Sequence, residues 1–266
     1  MFKQERWSRL LELLAVEGKL DVDGAAAAVD ASPATIRRDL DELAEQRLLV
    51  RTRGGAIAHG VSYELPLRYK SSRRASEKQR IAGAVADLLT VGDVIGLNGG
   101  TTTTEVARAL ALRTGGGLGE SGEGQNGPMC TVVTNALNIV GELAVRPQFK
   151  IVVTGGVARP QTTELLGPLT AGVLNKVVLD VAVLGVNGVD PQLGVMTHQE
   201  DGAGISRLFA QCARKVILVT DSSKMGKRAF ARICGLDRID SIVTDSDIAP
   251  DMVDRLTEAG IEVITV

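Results

Sequence analysis

The sequence predicts an α/β protein in two parts: a small N-terminal winged helix-turn-helix and a larger open, mostly parallel α/β sheet domain. Three observations support this. A helix that begins at Ser32 and carries two outward arginines follows a compact Ala-rich helix after a gap of only Asp30-Ala31. From Val91 to Val266, short β-rich apolar runs alternate with helical stretches. Of the 266 residues, 44% are hydrophobic but only 3% are aromatic, so the cores are built from Val, Leu, Ile and Ala, as suits strands buried on both faces.

Gln4 to Ala15 reads as a first helix, with Trp7, Leu10, Leu11 and Leu14 at helical spacing. Gly18 breaks it, and Lys19 to Val22 forms a short extended piece. Asp23 is placed to cap a second helix, Gly24 to Val29. Ser32 then caps a third, with Pro33 in its first turn, where the missing N–H costs nothing. Ile36, Leu40 and Leu43 give this helix an inward face, which leaves Thr35, Arg37 and Arg38 outside. Such a helix can enter a major groove, where Arg forks onto guanine edges or phosphate. The same residues would also serve an ordinary surface helix whose arginines pair with Asp39, Asp41 and Glu42. Leu48-Leu49-Val50-Arg51-Thr52-Arg53-Gly54-Gly55-Ala56 predicts a hairpin turned by its double glycine. A basic hairpin behind such a helix is a wing, with Arg51 and Arg53 against backbone phosphate or a minor groove.

Residues 1–75 hold 13 Lys and Arg against 11 Asp and Glu, and residues 31–75 hold 9 against 5, in a chain of net charge −2. The basic excess is thus local, which excludes a generally nucleic-acid-coated protein and leaves the placement of individual arginines to decide. Cys130, Cys212 and Cys234 are dispersed among apolar residues and form no Cys-x-x-Cys pair, as expected of reduced core thiols in a cytoplasmic protein. No apolar run reaches the roughly 18 residues of a membrane span. His59 and His198 are isolated, so no metal or cofactor is expected.

The segment 59–75, with Tyr63, Pro66, Tyr69 and Ser71-Ser72, reads as a linker between a DNA-binding domain at 1–58 and a second domain at 76–266. Glu77 opens a helix to about Leu89. Strands are predicted at Val91 to Leu97, Cys130 to Thr134, Phe149 to Thr154, Val177 to Gly185, Val216 to Thr220, Ile242 to Asp245 and Ile261 to Val266. Helices are predicted at Thr104 to Ala111, Ala136 to Val145, Gly202 to Cys212 and Ala249 to Ala259. Arg113 to Pro128, rich in glycine and aperiodic, reads as a loop.

Ligands of open α/β sheets bind beyond the carboxyl ends of the strands. Asn98-Gly99-Gly100-Thr101-Thr102 follows a strand and opens a helix, so free N–H groups, the helix dipole and several hydroxyls converge where a phosphate fits. No Gly-Lys-Ser/Thr follows, and a nucleotide is not implied. Thr134-Asn135, Thr154-Gly155-Gly156 and Asp221-Ser222-Ser223-Lys224 stand at three further strand ends, with Asn135 offering an amide and Lys224 a mobile charge.

The Thr35-Ile36-Arg37-Arg38-Asp39-Leu40 core followed by Arg51-Thr52-Arg53-Gly54-Gly55-Ala56 resembles the winged helix-turn-helix of DeoR-type transcriptional repressors. Residues 76–266 resemble the sensor domain of that family, whose fold is similar to ribose-5-phosphate isomerase. The resemblance implies a homo-oligomeric repressor, dimer or tetramer, that binds a double-stranded operator and releases it when a phosphorylated sugar or polyol enters the crevice. The DNA contacts would come from Ser32, Thr35, Arg37, Arg38, Arg51 and Arg53. Asn98, Gly100, Thr101, Thr102, Asn135, Gly155, Gly156 and Lys224 would line the ligand site. Asn98 stands where the family usually has Asp, and Gly202 where a Glu is common. An isomerase acting on the same crevice would need a carboxylate base such as Glu200 or Asp201, and it would leave the helix-turn-helix without purpose, so no enzyme is expected. A C-terminal domain that only oligomerises is the other alternative.

Overall fold

The computed structural model describes residues 1–58, 67–71, 73–113 and 129–266. Most of the expected linker, with His59 and Tyr63, and the expected loop at 114–128 lie outside the described residues. The chain divides into two compact units, Met1–Arg73 and Arg74–Val266.

The first unit runs α1 (Lys3–Glu17), β1 (Lys19–Asp21), α2 (Val22–Ala28), α3 (Pro33–Glu45), β2 (Val50–Thr52), β3 (Gly55–Ile57) and α4 (Leu67–Lys70). The hairpin β2–β3 is joined by β1 in an antiparallel sheet of order β1-β3-β2. The second helix starts earlier than expected because Asp21, not Asp23, caps it, accepting the Gly24 N–H at 2.7 Å. Asp23 sits in the first turn, where its charge favours the helix dipole. The wing turns at Arg53-Gly54, whereas Gly55 lies within β3. A methyl group there would fall 1.8 Å from the Leu20 carbonyl oxygen, so close backbone approach to β1 requires this glycine. Tyr69, on α4 in the expected linker, is buried in the first unit's core and donates its hydroxyl to Gln46 at 3.2 Å.

Trp7, Leu10, Leu14, Ile36, Leu40 and Leu43 form that core where α1 meets α3. Asp39 lies among them at 2% exposure. One carboxylate oxygen accepts Arg6 Nε at 2.5 Å, and the other accepts Arg6 Nη2 at 3.1 Å and Trp7 Nε1 at 2.8 Å. A buried charge is tolerated only with such pairing, and here it clamps α1 to α3.

The second unit contains α5 (Ala75–Leu88), β4 (Val94–Leu97), α6 (Thr101–Arg113), β5 (Cys130–Thr134), α7 (Leu137–Leu143), β6 (Phe149–Val153), β7 (Val157–Arg159), β8 (Glu164–Leu166) and α8 (Pro168–Leu174). It continues with β9 (Leu179–Gly185), β10 (Gly188–Asp190), β11 (Gly194–Thr197), α9 (Glu200–Cys212), β12 (Ala213–Val219), β13 (Ala231–Cys234), β14 (Ser241–Thr244), α10 (Pro250–Glu258) and β15 (Glu262–Thr265). Seven strands form one sheet, β15-β14-β12-β9-β4-β5-β6, and every neighbouring pair is parallel. Alternate residues of the strands face opposite ways. Leu97, Val132, Val183 and Val219 pack with α5, α6 and α7, whereas Val133, Leu184, Leu218 and Ile242 pack with α9 and α10 around Phe209. Burial pushes the thiols of Cys130, Cys212 and Cys234 above their ordinary value, as fits unreactive packing residues.

Two features escape the periodic reading: the hairpin β7–β8 and a small antiparallel sheet, β10-β11-β13. Their strands have only three or four residues, too few for an alternation to register. Asp190 ends β10, where its carboxylate accepts Arg228 Nε at 2.7 Å and the N–H groups of Gln192 and Leu193 at 2.9 and 3.0 Å. Arg228, joined by those two amides, holds the Asp190 carboxyl at about 2.

Two predictions follow from these contacts. Asp39→Ala, which strands the Arg6 and Trp7 donors, is expected to destabilise the first unit by about 3 kcal/mol in urea unfolding. The Asp190 value lies below its unfolded 3.8, so its contribution is present above about pH 4 and is lost as the pH falls toward 2. In Asp190→Asn, thermal melts over that range should lose part of their acid slope.

Candidate functional site

In α3, Ser32 is the cap: its Oγ accepts the Thr35 N–H at 3.1 Å and lies 2.9 Å from Thr35 Oγ1. The hydroxyls expected to read DNA therefore first hold the helix start together. Each acid on α3 that the surface-helix alternative would pair with Arg37 or Arg38 is engaged elsewhere. Asp39 holds Arg6, Asp41 accepts Arg51 Nε at 2.6 Å, and Glu42 meets Lys3 Nζ at 2.6 Å. Arg37 and Arg38 are exposed and form no ion pair among the described residues. Arg53, at the wing turn, is likewise exposed. Arg51 departs from the expectation of a free phosphate contact. Besides Asp41, it donates to the Gly55 carbonyl, so it braces the wing against α3.

Because all seven strands are parallel, their carboxyl ends share one rim. The chain builds outward through β4, β5 and β6, then returns to β9 on the other side of β4, so the switch point lies between β4 and β9. Asn98 stands there at 3% exposure. Its Nδ2 donates to the Gly185 carbonyl at 3.0 Å and to Ser206 Oγ at 2.9 Å, and its Oδ1 accepts the Gly185 N–H at 2.8 Å. Both amide hydrogens are engaged within the fold, so Asn98 closes the seam between β4 and β9. A carboxylate could not make the two donations.

At the start of α6, the Gly100 carbonyl accepts the Thr103 and Thr104 hydroxyls at 3.1 and 2.6 Å, and the first N–H groups of a helix have no intrahelical partner. Thr102 Oγ1 and Asn135 Oδ1 are buried and have no hydrogen-bond partner among the described residues. Asn135 Nδ2 donates to the Leu165 carbonyl at 3.2 Å and its own carbonyl accepts the Leu165 N–H at 2.7 Å, so β8 is stitched to the end of β5. Of the two glycines after Thr154, Gly156 meets a close approach of neighbouring groups. Gly156 has φ +125°, and a methyl group on it would fall 2.3 Å from Thr170 Oγ1 and 2.7 Å from the Leu166 carbonyl oxygen. Thr170 Oγ1 in turn donates to the Gly155 carbonyl at 2.8 Å. Lys224 follows β12, 3.8 Å from the Asp221 carboxylate. Of the other candidates, Asp201 pairs with Arg159 at 3.3 Å on the first turn of α9, beside the exposed Glu200.

A second cluster gathers on the rim at β12 and β14. Arg74 opens the unit with a left-handed backbone, φ 49° and ψ 46°. Its Nη1 lies 3.1 Å from Ser222 Oγ, 3.4 Å from Asp245 Oδ1 and 3.5 Å from Asp247 Oδ2, and its Nε is 4.0 Å from Asp221. Asp245 also accepts the Ser222 N–H at 2.7 Å. Burial works to raise the Asp245 carboxyl, but the bonds from Ser222 and Asp247 and the charge of Arg74 outweigh it and hold the carboxyl below its ordinary value.

Residues 6–60 match the family model of the DeoR-like helix-turn-helix domain, and residues 73–246 match that of the DeoR C terminal sensor domain. The HTH-type transcriptional regulator GlpR of Haloferax volcanii is 32% identical over 265 residues, covering 99% of this chain and 98% of that protein. The glycerol-3-phosphate regulon repressor of Escherichia coli K12 is 29% identical over 262 residues, covering 98% of each. Among solved structures, ribose 5-phosphate isomerase from Plasmodium falciparum overlaps 56% of this chain and 52% of its own, at 17% identity and a TM-score of 0.39.

Arg74 and Asp245 were not read as site residues from the sequence, although a signal existed. Thr220-Asp221-Ser222 and Thr244-Asp245-Ser246 repeat one tripeptide at the ends of neighbouring strands. Arg74→Gln removes the cation from this pair of buried carboxylates. It is expected to destabilise the second unit by about 1–3 kcal/mol and to speed amide exchange at the start of α5, read by hydrogen-exchange mass spectrometry.

Proposed function

The chain belongs to the DeoR family of DNA-binding transcriptional regulators, and on that premise we propose that it represses carbohydrate-metabolism genes and leaves its operator when a phosphorylated sugar or polyol binds. It is a regulator and not an enzyme. One observation carries the DNA-binding assignment to particular residues. Asp39, Asp41 and Glu42 are each held by partners outside α3, so Arg37 and Arg38 keep their full charge for a major groove. Thr35 at the helix start and Arg53 at the wing turn complete the contact, with Arg53 adding affinity through phosphate more than sequence choice.

The effector phosphate in this reading sits at the start of α6, against the N–H groups of Thr101 to Thr103 and the Thr102 hydroxyl, which has no partner among the described residues. Asn135 would accept from a sugar hydroxyl and Lys224 would supply the countercharge. Support for a phosphorylated effector comes from this chemistry and from the name of the glycerol-3-phosphate regulon repressor. A cytoplasmic dimer or tetramer binding a two-fold operator is the matching assembly. Switching requires the effector to distinguish two states by several kcal/mol, and Arg74, the first residue of the sensor unit, joins the rim to the chain that leads to the DNA-binding unit. The saturated amide of Asn98 favours a second reading, a C-terminal unit that assembles but senses nothing.

Thermal stabilisation by a panel of sugar and polyol phosphates, beside their unphosphorylated parents, separates the two. A shift that requires the phosphate is expected, and the absence of any shift would leave the ligand-blind reading. Arg38→Ala should weaken specific operator binding by about 1–3 kcal/mol in a fluorescence titration, while Lys224→Ala should bind operator normally and fail to release it with effector.

A further inference from the structure

The start of α6 is already faced by an anion of the chain itself. Gly99 immediately precedes the turn into α6, and a methyl group on it would fall 2.3 Å from Cγ and 2.4 Å from Oε1 of Glu164. The Glu164 carboxylate therefore lies against the Gly99 backbone, at the positive end of the helix dipole. Its position is fixed by a device that reaches the same turn. Thr163, the residue before it, is β-branched yet has φ +57°, a conformation such residues rarely adopt. The Thr163 hydroxyl donates to Asn138 Oδ1 at 2.8 Å, Asn138 Nδ2 donates to Thr104 Oγ1 at 2.6 Å, and Thr104 Oγ1 donates to the Gly100 carbonyl at 2.6 Å. A backbone bridge between Glu164 and Ala136 adds a second tie, just after Asn135. The hairpin β7–β8 is thus tied to the start of α6 through Thr163 and to the end of β5 through Glu164. A second, independent sign of a ligand here is Thr102, on the first turn of α6, 2% exposed and with no hydrogen-bond partner for its hydroxyl among the described residues.

We propose that Glu164 is a resident anion and specificity gate of this site. An incoming phosphate must displace the carboxylate from the start of α6. Once displaced, the carboxylate can accept from effector hydroxyls, so a phosphate on a polyol backbone is favoured over inorganic phosphate. The gate rests on the reading that the effector phosphate binds at α6.

The test uses the full chain, wild type and Glu164→Gln, titrated by calorimetry at constant ionic strength with inorganic phosphate and with glycerol 3-phosphate. Glu164→Gln should bind inorganic phosphate about tenfold more tightly, equivalent to ~1.4 kcal/mol, and should melt at a lower temperature than wild type when no phosphate is present. Its preference for glycerol 3-phosphate over inorganic phosphate should shrink. Glu164→Asp, which keeps the charge but withdraws it by one methylene, should fall between the two and guards against a folding defect in the first variant. Equal phosphate affinity in all three proteins would overturn the gate while leaving the α6 site standing. Phosphate binding by none of them would remove the α6 site, and the gate with it.

Discussion

Every strand of the seven-stranded sheet runs in one direction, and the chemistry of the C-terminal unit follows from that constraint. A parallel sheet is covered on both faces, so its strands are mostly apolar and many polar side chains gather at the rim where the strands end. Asn98, Asn135, Thr154, Asp221 and Asp245 occupy that rim, all buried. The return of the chain from β6 to β9 creates the seam between β4 and β9, and with it the need for a side chain that both donates to and accepts from Gly185. An amide satisfies that need and a carboxylate does not. The departure from the family's usual Asp is thus matched by the local hydrogen bonding.

Burial at the rim makes pairing obligatory, and the pairs divide it into two centres. At the turn into α6 the groups include neutral hydroxyls and amides, with the Glu164 carboxylate lying against Gly99. Around β12 and β14 they are charged, with Asp221 and Asp245 sharing Arg74 and Asp221 also facing Lys224. Asp221 therefore stands between a residue proposed to meet the effector and the residue at which the sensor unit begins.

In the first unit the same pairing rule sorts the cations. Arg6 stabilises the fold, Arg51 braces the wing, and Arg37, Arg38 and Arg53 are left on the outside. The net charge of the chain is irrelevant to this outcome. Three acids of α3 have three partners from α1 and β2, and the arginines on the same helix are available because those partners reach the acids first.

Local chemistry was enough to determine the frame. Ser32 and Pro33 fixed the start of α3, the Ile36-Leu40-Leu43 spacing its buried face, and runs such as Cys130 to Thr134 their strands, because caps, periodicity and β-branched composition act over a few residues. The family motifs added the expectation of which face meets DNA and which rim meets a ligand. Only the tertiary structure decided how individual polar groups were used. Asp21 displaced Asp23 as a cap, Asn98 closed a seam, Gly55 and Gly156 answered close approaches of backbone, and Arg74 found Asp245, 171 positions away. The short strands of β7–β8 and of β10-β11-β13 were likewise settled by what they pack against. Propensity is a property of neighbours in sequence, whereas the partner of a buried donor or acceptor is set by which distant groups the fold brings within hydrogen-bonding distance.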